Sequence, residues 1–238
     1  MNSVTDFSNT EAAVIPRDAA TLILVDYSKK SPKILMGKRH SSHTFMPDKY
    51  VFPGGRVDPS DRKMNVASPL DQTVEDRLAA RAKRVSPMKA RAIALAAIRE
   101  TFEETGLMVG ETGLGAPPKL LDTPWESFSE REVWPSLDQL HFVARAITPK
   151  RHKKRFDTRF FLTDSSNIAH LEDGTVGPDS ELTEIVWVKL SEAKDLDLPS
   201  ITSMIIDEIT LRLDQGLKSY LPVPFFHEFR GKYVREEL

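Results

Sequence analysis

The sequence contains no cysteine in its 238 residues. That excludes disulfides, thiolate metal sites and a cysteine nucleophile. Long apolar runs are missing too. The longest relevant stretch, residues 92–98, is alanine-rich and far short of the roughly 18 residues a membrane span needs. Neither sign of charge dominates: 33 Lys and Arg face 35 Asp and Glu, for a formal net charge of −2. A protein that bound nucleic-acid backbones would need a basic surplus. The first residues show no basic stretch followed by an apolar one, so no secretory signal is read. The expected setting is cytoplasmic, with neither membrane nor nucleic acid as a partner. What remains is ordinary globular material, 40% hydrophobic and 29% charged, enough for one domain with an arm or an insertion.

Residues 1–18 are polar and read as a flexible arm, with one domain over 19–238. Residues 21–26, 33–38 and 50–52 predict strands, the last stopped by Pro53-Gly54-Gly55. From 58 to 86 no strand pattern appears, and the helix formers at 72–84 predict a polar helical insertion. Ser86-Pro87 is a helix start, with Ser as N-cap and Pro in the first turn, and Gly106 supplies the stop after about Thr105. Residues 111–135 read as a long loop. Strands are predicted at 137–147, 156–162 and 184–188. Ile201, Met204, Ile205, Ile209 and Leu213 recur at helical spacing over 200–215. The order of elements predicts an α/β fold with a mixed sheet rather than a regular βαβ array.

The chemistry concentrates at Arg99-Glu100-Thr101-Phe102-Glu103-Glu104-Thr105-Gly106-Leu107. Glu100, Glu103 and Glu104 are three and four positions apart, so they share a helix face, while Leu95, Ile98 and Phe102 face a core. Three carboxylates in one turn repel each other, and the helix C-terminus already disfavours negative charge. A hard divalent cation with oxygen ligands would resolve both conflicts. The plain alternative is a solvated acidic helix end partnered by Lys or Arg. Upstream, Gly54 and Gly55 follow a strand and let backbone approach a ligand closely.

Together these residues resemble the Nudix hydrolase signature, G-x5-E-x7-R-E-U-x-E-E-x-G-U, with U a bulky apolar residue. Arg99, Glu100, Glu103, Glu104, Gly106 and Leu107 match its second half, Gly55 its leading glycine, and Asp61 stands where the first glutamate belongs. Thr101 departs from the apolar position. Between Asp61 and Arg99 stand 37 residues instead of 7, so the 58–86 insertion falls within the box; counting back from Arg99 instead gives Arg91, of the wrong charge. The resemblance implies an α/β/α sandwich and metal-dependent hydrolysis of a nucleoside diphosphate derivative, using Mg²⁺ or Mn²⁺. It implies metal ligation by Glu100, Glu103, Glu104 and the Gly55 carbonyl, with Arg99 orienting the carboxylates. The general base would be a box glutamate or a later acid, with Glu181 and Glu184 as later candidates.

The stretch 35–55, and Ile147-Thr148-Pro149 followed by residues 155–161, are similar to Nudix enzymes that cleave coenzyme A and its acyl esters, the peroxisomal branch in particular. Arg39, Arg155 and Arg159 are then the candidates for binding the substrate's extra phosphate. The basic run Lys150–Arg155 reads as such a site or as a solvated loop. His40 and His43 read as surface histidines, and Trp125, Trp134 and Trp187 as packing residues. A homodimer is compatible with the resemblance. Two rival readings stand beside the enzyme: a catalytically weak Nudix-fold module that binds a nucleotide or partner, and an interaction protein that docks through 58–86.

Overall fold

In a computed structural model the described residues are 14–28, 30–42, 46–82, 85–218 and 220–238. His43, Phe45 and most of the expected arm lie outside them. The strands and helices are β1 (Arg17–Asp26), β2 (Lys33–Arg39), β3 (Tyr50–Val51), β4 (Gly54–Arg56), α1 (Gln72–Ala79), α2 (Pro87–Thr105), β5 (Leu107–Val109), α3 (Trp125–Glu130), β6 (His141–Ile147), β7 (Phe156–Asp164), β8 (Ile168–Leu171), β9 (Leu182–Lys189), α4 (Ser200–Gln215), β10 (Pro224–Phe229) and β11 (Lys232–Glu237). None of the helices among these residues is long and apolar enough to cross a membrane.

The large sheet runs β11-β10-β6-β7-β1-β2-β3, with β4 added to β1 and β9 to β2. It is mixed: β1 runs parallel to β7 and β10 parallel to β6, while the other pairs are antiparallel. Successive strand residues point to opposite faces, and β1 shows why it is apolar almost throughout. Ala20, Leu22 and Leu24 join one core with Ile93, Leu95, Ile98 and Phe102 of α2. Ile23 and Val25 join a second core with Ile205, Ile206 and Ile209 of α4. A strand covered by helices on both faces needs no polar side. The expected α/β/α sandwich is therefore the architecture found.

Helix α2 has the expected limits. Ser86 accepts a hydrogen bond from the Lys89 N–H, Pro87 opens the first turn, and Gly106 closes the helix in the left-handed region at φ 76°. Several expectations need correction. The strand at Tyr50–Val51 does stop before Pro53-Gly54-Gly55, but the two glycines then open a separate strand, β4, and pair with Thr21 and Ala20. Helix α1 stops at Ala79 rather than 84, since Ala80 is extended and Arg81 left-handed at φ 50°. The 111–135 stretch is not wholly loop, as it holds α3. The strand expected from 137 begins at His141, and β1 already begins at Arg17, inside the expected arm.

Candidate active site

Glycine and helix geometry bring the two halves of the motif together. Gly55 lies opposite Ala20 on β1, and a Cβ built on it would overlap the Glu100 carboxylate. The neighbouring Gly54 N–H donates to Glu104 Oε2 at 3.1 Å. The end of α2 is thus stitched to the backbone of β4, and a side chain at Gly55 would displace the Glu100 carboxylate.

Arg99 organises the carboxylates. Its Nη1 donates to Glu100 Oε1 at 2.9 Å and to Glu103 Oε1 at 3.1 Å, and its Nη2 donates to the Arg56 carbonyl at 2.7 Å. The other edge of the guanidinium meets Asp61, with Nε to Oδ1 at 2.8 Å and Nη2 to Oδ2 at 3.1 Å. The two residues stand 38 positions apart in sequence, so the intervening segment leaves and returns without breaking the pair. A 3₁₀ turn, Pro59–Arg62, delivers Asp61, whose carboxylate also accepts the Asp58 N–H at 2.7 Å in a reciprocal capping box. Arg91, the basic residue where the signature would count an acid, donates to the carbonyls of Arg62 and Met64 and pins that turn to α2.

Sequence reasoning missed one member of this network. Trp125, fully buried in α3, donates its indole N–H to Asp61 Oδ1 at 3.2 Å. A tryptophan inside a stretch otherwise rich in Gly, Pro and Thr was the available signal.

Burial governs the electrostatics. It raises the Glu100 carboxyl to about 7, with the Glu103 and Glu181 charges adding to the rise and Arg99 opposing it. Glu104 is buried further and is pushed well above the usual carboxylate range, by desolvation first and then by Glu181 and Glu100. Burial works against the Arg99 charge, yet its contacts to Asp61, Glu100 and Glu103 hold its pKa above the ordinary value.

Glu100 and Glu103 open into a cavity of about 1100 Å³ that is also lined by Arg39 and Glu181. Arg39 Nη2 and Glu181 Oε1 form a salt bridge of 3.1 Å. Glu184 does not line the cavity; it accepts the Tyr50 hydroxyl at 3.2 Å. The structure thus gathers Gly55, Arg99, Glu100, Glu103, Glu104 and Arg39 and leaves Arg155 and Arg159 apart. Arg155 is buried and donates to the carbonyls of Thr148 and Val14 at 2.9 and 2.6 Å. Arg159, also buried, is bound by Asp18 at 2.8 Å and Asp157 at 3.3 Å. Both guanidiniums already serve the protein, so a phosphate would have to break these contacts. Lys154 of the basic run does line the cavity. His40 Nδ1 lies 2.7 Å from the Ser42 hydroxyl, and Trp134 bonds the Gly115 carbonyl at 2.8 Å. Trp187 packs on the α2-side core.

No family model matches the sequence. A Caenorhabditis elegans protein that carries the name nudix hydrolase 7 is 27% identical over 188 residues, covering 75% of this chain. The match takes in 53% of that relative, so the chain spans about half the length of the curated protein it matches. The crystal structure of a NUDIX hydrolase from Alicyclobacillus acidocaldarius superposes with a TM-score of 0.60 at 25% identity, covering 82% of this chain and 91% of the other. A weaker likeness is to the NUDIX domain of Shewanella oneidensis NrtR, solved with ADP ribose, with a TM-score of 0.48 at 11% identity, covering 84% and 90% of the two chains. The chain has the fold of the Nudix hydrolases.

Proposed function

We propose that the chain is a metal-dependent diphosphatase that cleaves the diphosphate linkage of a nucleoside diphosphate derivative, with coenzyme A or an acyl-coenzyme A as its substrate. The observation that carries this reading is the acidic end of the cavity, where Glu100 and Glu103 converge on Arg99 beside the Gly54-Gly55 backbone. The donor set is all oxygen, which suits Mg²⁺ or Mn²⁺. Gly55 fits the same purpose, since a side chain there would fill the space before the Glu100 carboxylate.

Glu100, Glu103, Glu104 and the Gly55 carbonyl would hold the cation. Among the described residues no three Asp, Glu or His side chains are grouped so as to hold a metal ion by themselves; the Gly55 carbonyl, waters and substrate phosphate oxygens would have to supply the remaining ligands. When bound, it would offset the charge of the diphosphate and make coordinated water more acidic. The protein's own groups do the positioning. Arg99 aims Glu100 and Glu103, Asp61 and Trp125 fix Arg99, and Glu104 clamps β4 through Gly54. Glu181 lines the cavity with Glu100 and its charge acts on Glu100 and Glu104; it or a box glutamate would accept a proton from the attacking water.

The coenzyme A preference is supported by the similarity of residues 35–55 to that branch and by the cations on the cavity wall, Arg39 and Lys154 among them. A module that only binds would be expected to lose acids from Arg-Glu-x-x-Glu-Glu, and none is missing. The test is a panel of coenzyme A, NADH, ADP-ribose and dinucleoside polyphosphates with Mg²⁺ or Mn²⁺, with and without EDTA. Cleavage of coenzyme A to 3′,5′-ADP and 4′-phosphopantetheine, lost with EDTA, is expected. Full activity after exhaustive chelation would overturn metal dependence, and a clear preference for NADH or ADP-ribose would overturn the substrate.

A further inference from the structure

The cavity has two chemically different walls. The acids described above come from α2. Arg17 of β1, Arg56 of β4 and Arg62 of the 3₁₀ turn line the same cavity, and all three are exposed. Strand register explains why two of them converge. Ala19 lies opposite Arg56 in the antiparallel pair of β1 and β4. In the parallel pair of β1 and β7, Arg17 lies beside Phe156 and Ala19 beside Thr158. Residues directly opposite on paired strands share a face, as do residues two apart on one strand. Arg17, Arg56, Phe156 and Thr158 therefore share the face opposite to that of Gly55 and Ala20, and all four line the cavity.

The acids on this wall are engaged by other groups. Asp18 pairs with Lys89 at 2.6 Å and Arg159 at 2.8 Å. Asp58 accepts the N–H and the hydroxyl of Ser60 at 2.8 and 2.6 Å. Among the described residues Arg17, Arg56 and Arg62 form no salt bridge, although the Arg56 charge acts on the nearby Asp58 carboxylate. Guanidiniums gathered on one wall of a cleft raise its positive potential and attract anions, and their planar forks match phosphate oxygens.

We infer that Arg17 and Arg56, in a cavity that Arg62 also lines, form an anion subsite that takes a second phosphate, a monoester on the nucleoside's ribose. The assignment of that phosphate to the same substrate as the cleaved diphosphate rests on the diphosphatase reading. Binding at the subsite does not need turnover.

The test is calorimetric titration of the full-length protein, without metal, with 5′-AMP, 2′,5′-ADP and 3′,5′-ADP. One or both bisphosphates are expected to bind on the order of tenfold tighter than 5′-AMP, the scale of a charge-assisted hydrogen bond. Comparing the two bisphosphates tells which ribose hydroxyl carries the group. In the Arg17→Ala/Arg56→Ala double variant the ratio of affinities should collapse toward one, while Arg17→Lys/Arg56→Lys should keep part of it. Equal binding of all three nucleotides to the wild type, or no measurable binding of either bisphosphate at millimolar concentration, would overturn the inference. So would a double variant that weakens all three alike and keeps the ratio. An intact ratio in a protein that hydrolyses no diphosphate with any metal would support the subsite and reject the diphosphatase reading.

Discussion

Glu104 is a carboxylate in a place that disfavours its charge, and Glu100 shares that strain to a lesser degree. Both have pKa values raised above the ordinary carboxylate range. A raised folded-state value means that the stabilising contribution is complete below the unfolded value and fades as pH rises through the folded one. For Glu100 that window runs from the ordinary 4.5 to about 7. In metal-free protein, Glu100→Gln and Glu104→Gln should therefore leave the melting temperature near that of wild type at pH 4.5 and raise it by several degrees at pH 8. In the presence of Mg²⁺ the same variants, and Glu103→Gln, should lower kcat by about 10²-fold or more, as expected for groups that stabilise transition-state charge. A melting temperature that drops at pH 8 while kcat per folded molecule persists would mark these glutamates as structural. Asp61→Asn should behave oppositely. It strips one partner from a buried pair, a loss of about 3–5 kcal/mol, so melting temperature and kcat should fall together. Trp125→Phe removes only one neutral donor to Asp61 and should cost about 1 kcal/mol.

At the scale of elements, the junction of β4 and α2 makes its own prediction. In Gly55→Ala the new methyl meets the end of the Glu100 side chain, a flexible group that can swing aside. Circular dichroism and melting temperature should change little, while Mn²⁺ affinity and kcat fall at least tenfold; a matching loss of stability would mean that the backbone, not the carboxylate, had moved. Helix α2 was legible in the sequence because its signals are local: a Ser N-cap, Pro in the first turn and Gly at the stop. Helix α4 was legible from its apolar spacing. The three-residue β5 and the β5-β8 ribbon were not, because short strands owe their existence to distant partners; the C-terminal β10-β11 hairpin, whose strands are neighbours in sequence, was not read either. Arg159 was misjudged for a reason of parity. It pairs with Ala20 and so lies on the α2 face with Arg145, while its neighbours Thr158 and Phe160 line the cavity. Arg17 and Arg56 escaped notice because their meeting depends on a register that no local pattern prints. The Asp61–Arg99 pair was half legible. Counting from Gly55 located Asp61, but nothing in the intervening residues announced that the chain would return.

Over the whole molecule, the proposed metal binding would be coupled to the ionisation of the acids. A cation requires its carboxylates ionised, so binding should release protons wherever those groups are still partly protonated. Mn²⁺ affinity should fall between pH 8 and pH 5.5, and calorimetry in buffers of different ionisation enthalpy should detect proton release near pH 6.5. An affinity that stays flat over that range would place the cation away from Glu100 and Glu104. The parallel pairing of β1 with β7 has a further consequence, for the way the chain reaches this state. It joins residues 17–25 to residues 156–164 along their whole length, so the centre of the sheet closes only when two remote parts of the polymer meet. Contacts of such long sequence separation must overcome loop entropy before they return any free energy, which slows folding. On a ribosome, β1 would emerge early and wait, apolar on both faces, until β7 had been made. A product truncated before Phe156 would keep the α2 acids and both motif glycines, yet it would lack the strand that holds the centre of the sheet together.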